Sequence, residues 1–333
     1  MCGIAGIYVP RGVAVPDIEM TRMAAQMRHR GPDGDGYWES GDKRYRTAFR
    51  RLAIIDLATG DQPLVDDRQG CVLSGNGEVY NYVELRERFN AYPYRTEGDM
   101  EAVLAARAEL GDGYVDELNG MYALALYDQR AHALELVRDR LGVKPLYWAE
   151  LPKGGIVYAS EIKPLFASGM VAPEIDEGAV NAYLAHGYVP GPRTLYKNVN
   201  KLEPGHRLSI DADGEMVIAP YWRPRPAGDL PKDAAGIETY LSELLEDSVR
   251  LQLRSDVPVG TLLSGGIDSG LVVALAAKHA PKALRTFTAR FPDGVDESQL
   301  ANEVAARYGT EHTVIDVDGY DAAKHLWTLA WYA

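Results

Sequence analysis

A chain of 333 residues has room for about two domains, each large enough to bury its own core, which excludes a disordered tail or a mini-scaffold. Hydrophobic residues make up 46% and charged ones 25%, and the 33 Gly and 19 Pro together stay well below the ~25–30% that marks low-complexity sequence. With 35 basic against 48 acidic residues the formal charge is −13, a field that repels nucleic acid and anionic membranes, so neither is expected as a partner.

The N-terminus, Met1-Cys2-Gly3-Ile4-Ala5-Gly6, lacks the basic and apolar regions of a signal peptide, and no run approaches about 18 apolar residues. Cys2 and Cys71 are too few for a disulfide framework or a four-cysteine zinc site, so a reducing, cytoplasmic setting is expected. Ile18, Met20, Met23 and Met27 recur at roughly helical spacing and predict a helix over Asp17–Arg28. Strand-type runs follow at Arg51–Leu57 and Gly70–Ser74, then a helix over Asp99–Leu110 on Val103, Leu104 and Leu110. Further strands are expected at Met121–Asp128, Ala133–Arg138 and Gly155–Ser160. Residues 2–215 therefore read as an antiparallel α+β domain, and the proline-rich stretch within 216–235 as a linker.

Beyond the linker the period changes. Ile237, Leu241, Leu244, Leu245 and Val249 fall on one helical face, predicting an amphipathic helix over Gly236–Leu253. Strands at Val257–Leu263, Ala283–Phe291 and His312–Val317 then alternate with helices at Asp268–His279 and Glu297–Tyr308, the signature of a parallel sheet. No internal repeat is present.

Two features could carry chemistry. Removal of Met1 would leave Cys2 with a free α-amine; amine (pKa about 7.7–8.0) and thiol (about 8.5) are close enough for the amine to take the thiol proton near neutrality. One residue would then be both nucleophile and base, although a cysteine at position 2 is often incidental. The second feature is the loop Ser264-Gly265-Gly266-Ile267-Asp268-Ser269 between a strand and a helix. Its glycines allow a tight turn, and the helix dipole favours phosphate oxygens. The loop lacks both the Gly-Lys-Ser/Thr of a Walker motif and a Gly-x-Gly-x-x-Gly, so it reads as a pyrophosphate-releasing nucleotide site or as a plain glycine-rich turn. Cys71, in Gly70-Cys71-Val72-Leu73, has no activating base and reads as a buried strand residue.

The loop resembles the PP-loop signature Ser-Gly-Gly-x-Asp-Ser of ATP pyrophosphatases. Ser255-Asp256-Val257-Pro258 and Gly309-Thr310-Glu311-His312 are similar to the glutamine-hydrolysing asparagine synthetases of that group. Cys2-Gly3-Ile4-Ala5-Gly6, Arg30-Gly31-Pro32-Asp33-Gly34, Arg51-Leu52-Ala53-Ile54-Ile55-Asp56, Asn76-Gly77-Glu78 and Gly98-Asp99 stand in the order and spacing of a class II glutamine amidotransferase domain. Two further stretches, Arg138–Tyr147 and Tyr188–Tyr196 with Lys201–His206, also look like asparagine synthetase segments.

The resemblance implies an α+β N-terminal-nucleophile domain, an αββα sandwich, followed by an incomplete Rossmann-like α/β PP-loop domain over 236–333. It implies that Cys2 attacks glutamine, Arg51 holds its α-carboxylate, Glu78 and Asp99 its α-ammonium, and Asn76 and Gly77 the oxyanion. Ammonia would pass to a second site, where Mg-ATP and aspartate form β-aspartyl-AMP and then asparagine. There Ser264, Gly265, Gly266, Asp268 and Ser269 would bind pyrophosphate, Asp268 also Mg2+, and Leu262 and Ala289 the adenosine. A homodimer is compatible with the resemblance. The final stretch, Leu326 to Ala333, lacks the expected acidic run and second glycine loop, so the chain reads as truncated, keeping glutaminase activity but making no asparagine. Alternatives are an amidotransferase acting on another carboxylate, in polysaccharide or peptide modification, or a non-catalytic glutamine- or ATP-binding module. Retention of Cys2 disfavours a lactam-forming relative.

Overall fold

The computed structural model describes every residue except 227, 229, 281, 292, 293, 295, 318–321 and 333. It divides into two compact units, Met1–Pro226 and Ala227–Ala333. The first begins with β1 (Gly3–Tyr8), α1 (Met20–Ala25), β2 (Gly34–Glu39), β3 (Tyr45–Arg51), β4 (Leu64–Asp66) and β5 (Cys71–Val79). It continues through α2 (Tyr82–Arg88), α3 (Met100–Leu110), α4 (Tyr114–Glu117), β6 (Gly120–Asp128), β7 (Ala133–Arg138), β8 (Tyr147–Glu150) and β9 (Ile156–Ala159). It closes with α5 (Ile162–Ala167), α6 (Glu177–His186), β10 (Asn200–Lys201), β11 (His206–Ile210) and β12 (Met216–Pro220).

The strands form two antiparallel sheets, ordered β10-β8-β9-β1-β3-β2 and β12-β11-β7-β6-β5-β4. Between them lies a layer built from both: Ile4, Phe49 and Tyr158 of the first sheet meet Val72, Ala125, Leu136 and Leu208 of the second. Outside the second sheet, Leu85 of α2, Val103 and Ala106 of α3 and Val115 of α4 pack on Leu73, Leu124 and Leu126. Outside the first, Met23 of α1 and Leu165 of α5 pack on Ala5, Ile7 and Val157. The layers are thus helix, sheet, sheet, helix, the expected αββα sandwich.

Strand position explains the burial patterns. β1, covered on both faces, is buried at all six residues, Ile4 and Tyr8 facing one layer and Ala5 and Ile7 the other. β2, at the sheet edge, alternates between half-buried and exposed. The predicted helix over Asp17–Arg28 is shorter, Met20–Ala25. The predicted strand over Arg51–Leu57 does not form: β3 ends at Arg51, and the apolar run that follows is a loop facing a cavity. The second sheet runs on through Met216–Pro220, paired with β11, so strand occupies the first five residues read as linker; residues 227 and 229 of that linker lie outside the described residues.

The second unit contains α7 (Ala234–Gln252), β13 (Gly260–Leu262), α8 (Ile267–His279), β14 (Arg285–Arg290), α9 (Ser298–Tyr308), β15 (Glu311–Asp316) and α10 (Ala322–Tyr332). Its three strands are parallel, in the order β13-β14-β15, as the strand–helix alternation predicts. The core is small, with Leu263, Val273, Ala276, Leu284, Ala301 and Ala305 at its centre. Asp233 caps α7 by accepting from Gly236 N–H at 2.9 Å. Of the apolar stripe of α7, Ile237, Leu241 and Leu244 are exposed. Residue 333, the end of the terminal apolar stretch, lies outside the described residues. No helix among the described residues is long and apolar enough to cross a membrane.

Candidate functional site

Antiparallel register builds the first site. Gly3 at the start of β1 pairs with Arg50 near the end of β3, so Cys2 and Arg51 lie side by side where the first sheet ends. The second sheet contributes Asn76, Gly77 and Glu78 from β5, and Asp99 sits at the N-terminus of α3. Cys2, Arg51, Leu52, Gly77, Glu78 and Asp99 line one cavity, together with Ile54 and Ile55 of the loop misread as strand. Gly77 has φ +152°, and a Cβ there would lie 2.0 Å from the Met121 carbonyl oxygen, so only glycine fits this strand position.

The Cys2 thiol meets the backbone of Leu52: Leu52 N–H donates to Sγ at 3.4 Å, and the thiol faces Leu52 C=O at 3.6 Å. Behind it, Arg30 Nε donates to the Cys2 carbonyl at 2.9 Å. Arg30 is held by Glu161 at 3.1 Å, which also binds His29 at 2.8 Å and Lys163 at 3.2 Å. The backbone of the candidate nucleophile is thus clamped by Arg30, the first residue of the Arg30–Gly34 motif, and by a charged cluster around Glu161 that no motif marks. Burial pushes the thiol up while the Leu52 amide pulls it down, and burial lowers the terminal α-amine.

Glu78 and Asp99 are carboxylates without an ion-pair partner within 4 Å among the described residues. Burial, then the Asp99 charge, pushes Glu78 above the ordinary carboxylate range; Lys144 and the N-terminus pull the other way. Burial also raises Asp99, against the pull of backbone amides such as Val79 N–H, which donates to it at 2.7 Å. A half-buried and a buried acid lining one cavity favour any cation that enters. Arg51 is nearly buried, with Nη1 2.8 Å from Asp61 and Nη2 on the Asp56 carbonyl. Asp61 is mostly exposed, so this ion pair is screened by solvent and weak.

The predicted residues therefore converge, with one exception. Asn76 is fully buried and is not part of the cavity wall; its Nδ2 lies 3.4 Å from Ser160 Oγ, and its Oδ1 has no partner among the described residues. Sequence reading missed Ser160, Glu161 and Asp61. Ser160 and Glu161 belong to a segment far from the motifs they serve, and Asp61 lies just beyond the Arg51–Asp56 motif; nothing in local pattern marks any of them. Cys71 is buried, and burial raises its thiol to about 12, in keeping with an inert strand residue.

In the second unit the motif 264–269 spans the loop after β13 and the first turn of α8. Ser264 and Ser269 hydroxyls lie 2.9 Å apart, and Ser264 N–H donates to Ser269 Oγ at 3.2 Å, fixing the turn from within. Gly266 heads α8 without a side-chain cap, and Gly265 N–H donates to Glu297 Oε2 at 3.4 Å, so an anionic oxygen already sits on a loop amide. That geometry fits a phosphate. Asp268, in the first turn of α8, is exposed, as are Leu262 and Ala289. The described residues contain no cluster of three or more His, Cys, Asp or Glu suited to a metal.

The family model described as a glutamine amidotransferase domain matches residues 1–222, and that described as asparagine synthase matches 240–333. Asparagine synthetase [glutamine-hydrolyzing] 1 of Bacillus subtilis strain 168 is 35% identical, over 100% of this chain and 52% of its own length. A putative asparagine synthetase [glutamine-hydrolyzing] of Mycobacterium bovis is 38% identical over 100% and 54%, and asparagine synthetase B of Escherichia coli K12 is 34% identical over 98% and 56%. The chain spans about half the length of these curated relatives. A solved structure described as the allosteric regulatory enzyme of purine biosynthesis superposes with TM-score 0.51 at 14% identity, covering 95% of this chain and 80% of that one, a likeness of fold.

Proposed function

The chain belongs to the glutamine amidotransferase family and carries an asparagine synthase segment behind that domain, and on that premise we propose that it hydrolyses glutamine at Cys2 to supply ammonia for ATP-dependent amidation of aspartate. The observation that carries this reading is the shared cavity: a thiol, a guanidinium, a glycine backbone and two cation-poor acids line one pocket. These are the groups a free α-amino acid amide needs.

With Met1 removed, the α-amine of Cys2 takes the thiol proton, and the thiolate attacks the glutamine γ-carbonyl carbon. The proton passes to the leaving nitrogen, ammonia departs, and water then hydrolyses the γ-glutamyl thioester to glutamate. Arg51 holds the α-carboxylate, which must replace or share the contact with Asp61. Glu78 and Asp99 take the α-ammonium; Gly77 N–H and the Asn76 amide stabilise the oxyanion, about 3 kcal/mol per donor.

In the second unit, Ser264, Gly265, Gly266 and Ser269 would hold the phosphates of ATP, with Leu262 and Ala289 against the adenosine. Asp268, in the first turn of α8, would supply a carboxylate to a Mg2+ carried mainly by phosphate oxygens. When bound, ATP supplies the leaving group that makes a carboxylate reactive toward ammonia. A cytoplasmic setting suits a free thiol at the chain's start.

The test is ammonia release from glutamine by the 333-residue polypeptide with its N-terminal methionine removed. Cys2→Ala is expected to abolish release, and an uncleaved N-terminal tag, which turns the amine into an amide, is expected to do the same. Equal rates in wild type and Cys2→Ala would overturn the reading.

A further inference from the structure

Asn76 lies in the layer between the sheets, fully buried, with Oδ1 unpartnered among the described residues and Nδ2 3.4 Å from Ser160 Oγ. Ser160, just beyond β9, is also fully buried. Its backbone N–H donates to the Ile4 carbonyl at 2.8 Å, and its Oγ accepts from Ile4 N–H at 3.0 Å. This pair of bonds locks Ser160 to β1 two residues from Cys2.

The hydroxyl has two polar neighbours among the described residues, the Ile4 amide and Asn76. Ile4 N–H is a fixed donor, so the oxygen accepts there and the hydroxyl proton has the Asn76 amide as its outlet. A donated proton needs the amide oxygen on that side. A half-turn of the amide supplies it, and leaves the NH2, itself without a partner, where the unpartnered oxygen now stands.

Building on the reading of Cys2 as a glutamine-hydrolysing nucleophile, we propose that Ser160 is a positioning residue for the oxyanion donor: its hydroxyl donates to Asn76 Oδ1 and so holds the Asn76 NH2 ready for the charge that develops beside Cys2. An NH2 group with no partner in the resting protein, and one in the transition state, strengthens only the latter. Because Ser160 is also tied to Ile4, the same side chain sets the position of the donor relative to the strand that carries the nucleophile.

Ser160→Ala tests this in the full chain with a processed N-terminus. Loss of one oxyanion donor costs about 100–1,000-fold in kcat, so loss of its orientation is expected to lower kcat by roughly 10–100-fold with KM for glutamine within about twofold. Alkylation of Cys2 by iodoacetamide should keep the wild-type rate. Added to Asn76→Ala, Ser160→Ala should cost less than about twofold more, since it acts through the group already removed. Ser160→Cys, of similar volume and a weak donor, should fall between wild type and alanine, and stands in if alanine does not fold. A kcat within twofold of wild type in Ser160→Ala, or multiplicative losses in the double variant, would overturn the assignment. Wild-type turnover that survives Cys2→Ala would instead overturn the underlying glutaminase reading.

Discussion

Glu78 and Asp99 are the residues at which the site works against the fold. Both carboxyls are raised by burial, Glu78 also by Asp99's charge, so the folded protein binds protons that the unfolded chain has given up. Stability from this pair is therefore greatest below the ordinary carboxylate range and is lost as pH climbs through the raised values. Glu78→Gln removes one of the two charges. The variant's melting temperature, measured without glutamine from about pH 5 to 8, should fall less steeply than wild type's, the two curves separating as pH rises. Its KM for glutamine should rise by about 10–100-fold, the worth of a charge-assisted contact. Parallel melting curves would show that the pair carries no such cost. Any ammonium that enters lowers both carboxyls and recovers this stability, which couples substrate affinity to the tension in the empty site. Most of this chemistry is readable from the sequence once Cys2 and the short motifs are taken together. What local pattern could not convey is the support: Ser160 and Glu161 reach Asn76 and Arg30 only after the sheets close.

At the scale of elements, β5 is the strand where sequence and geometry are most tightly bound. Gly77 combines φ +152° with a neighbouring carbonyl that leaves no space for a Cβ. Gly77→Ala should cost about 2–3 kcal/mol, moving the melting temperature by roughly 5–10 °C for a unit this size, and should abolish turnover because β5 must shift. Gly187 gives the contrast. It ends α6 with φ +77° and open space around it, so Gly187→Ala should cost about 1 kcal/mol and leave glutaminase rates unchanged. Similar losses in the two variants would show that steric exclusion at Gly77 has been misjudged. Sequence pattern predicted β6 and β7 closely because their β-type runs are bounded by turns. β1 escaped it: Gly3 and Gly6 weaken the strand signal, and burial on both faces erases alternation. The run after Arg51 misled for the opposite reason, since Ile54 and Ile55 are apolar in order to line a cavity and not a sheet. In the second unit, where β-branched runs alternate with helices, the predicted order of elements is recovered in full.

At the scale of the whole molecule, the segment after β12 offers a point of division. Arg223 and Arg225 are exposed, but each precedes a proline, which blocks tryptic cleavage; Lys232 is exposed and precedes Asp233. Limited trypsin digestion is expected to cut early at Lys232 and release a fragment of residues 1–232. All the groups proposed to act on glutamine lie before that bond, so ammonia release should persist as the cleavage proceeds. Activity that falls in step with cleavage would mean that the first unit depends on the second. The charge of −13 adds no attraction for an anionic substrate, which leaves Arg51 and the backbone donors to do the binding. The bond between Ile4 N–H and Ser160 spans 156 positions, and at about 5–20 residues per second a ribosome needs roughly 10–30 s to travel that far. For that interval β1 lacks its neighbour β9, and Met1 trails at the head of a chain still open to an aminopeptidase. On the proposed chemistry the enzyme's base is made by that trimming, and because Met1 is still exposed once the sheets have closed, a molecule missed during synthesis can be activated afterwards.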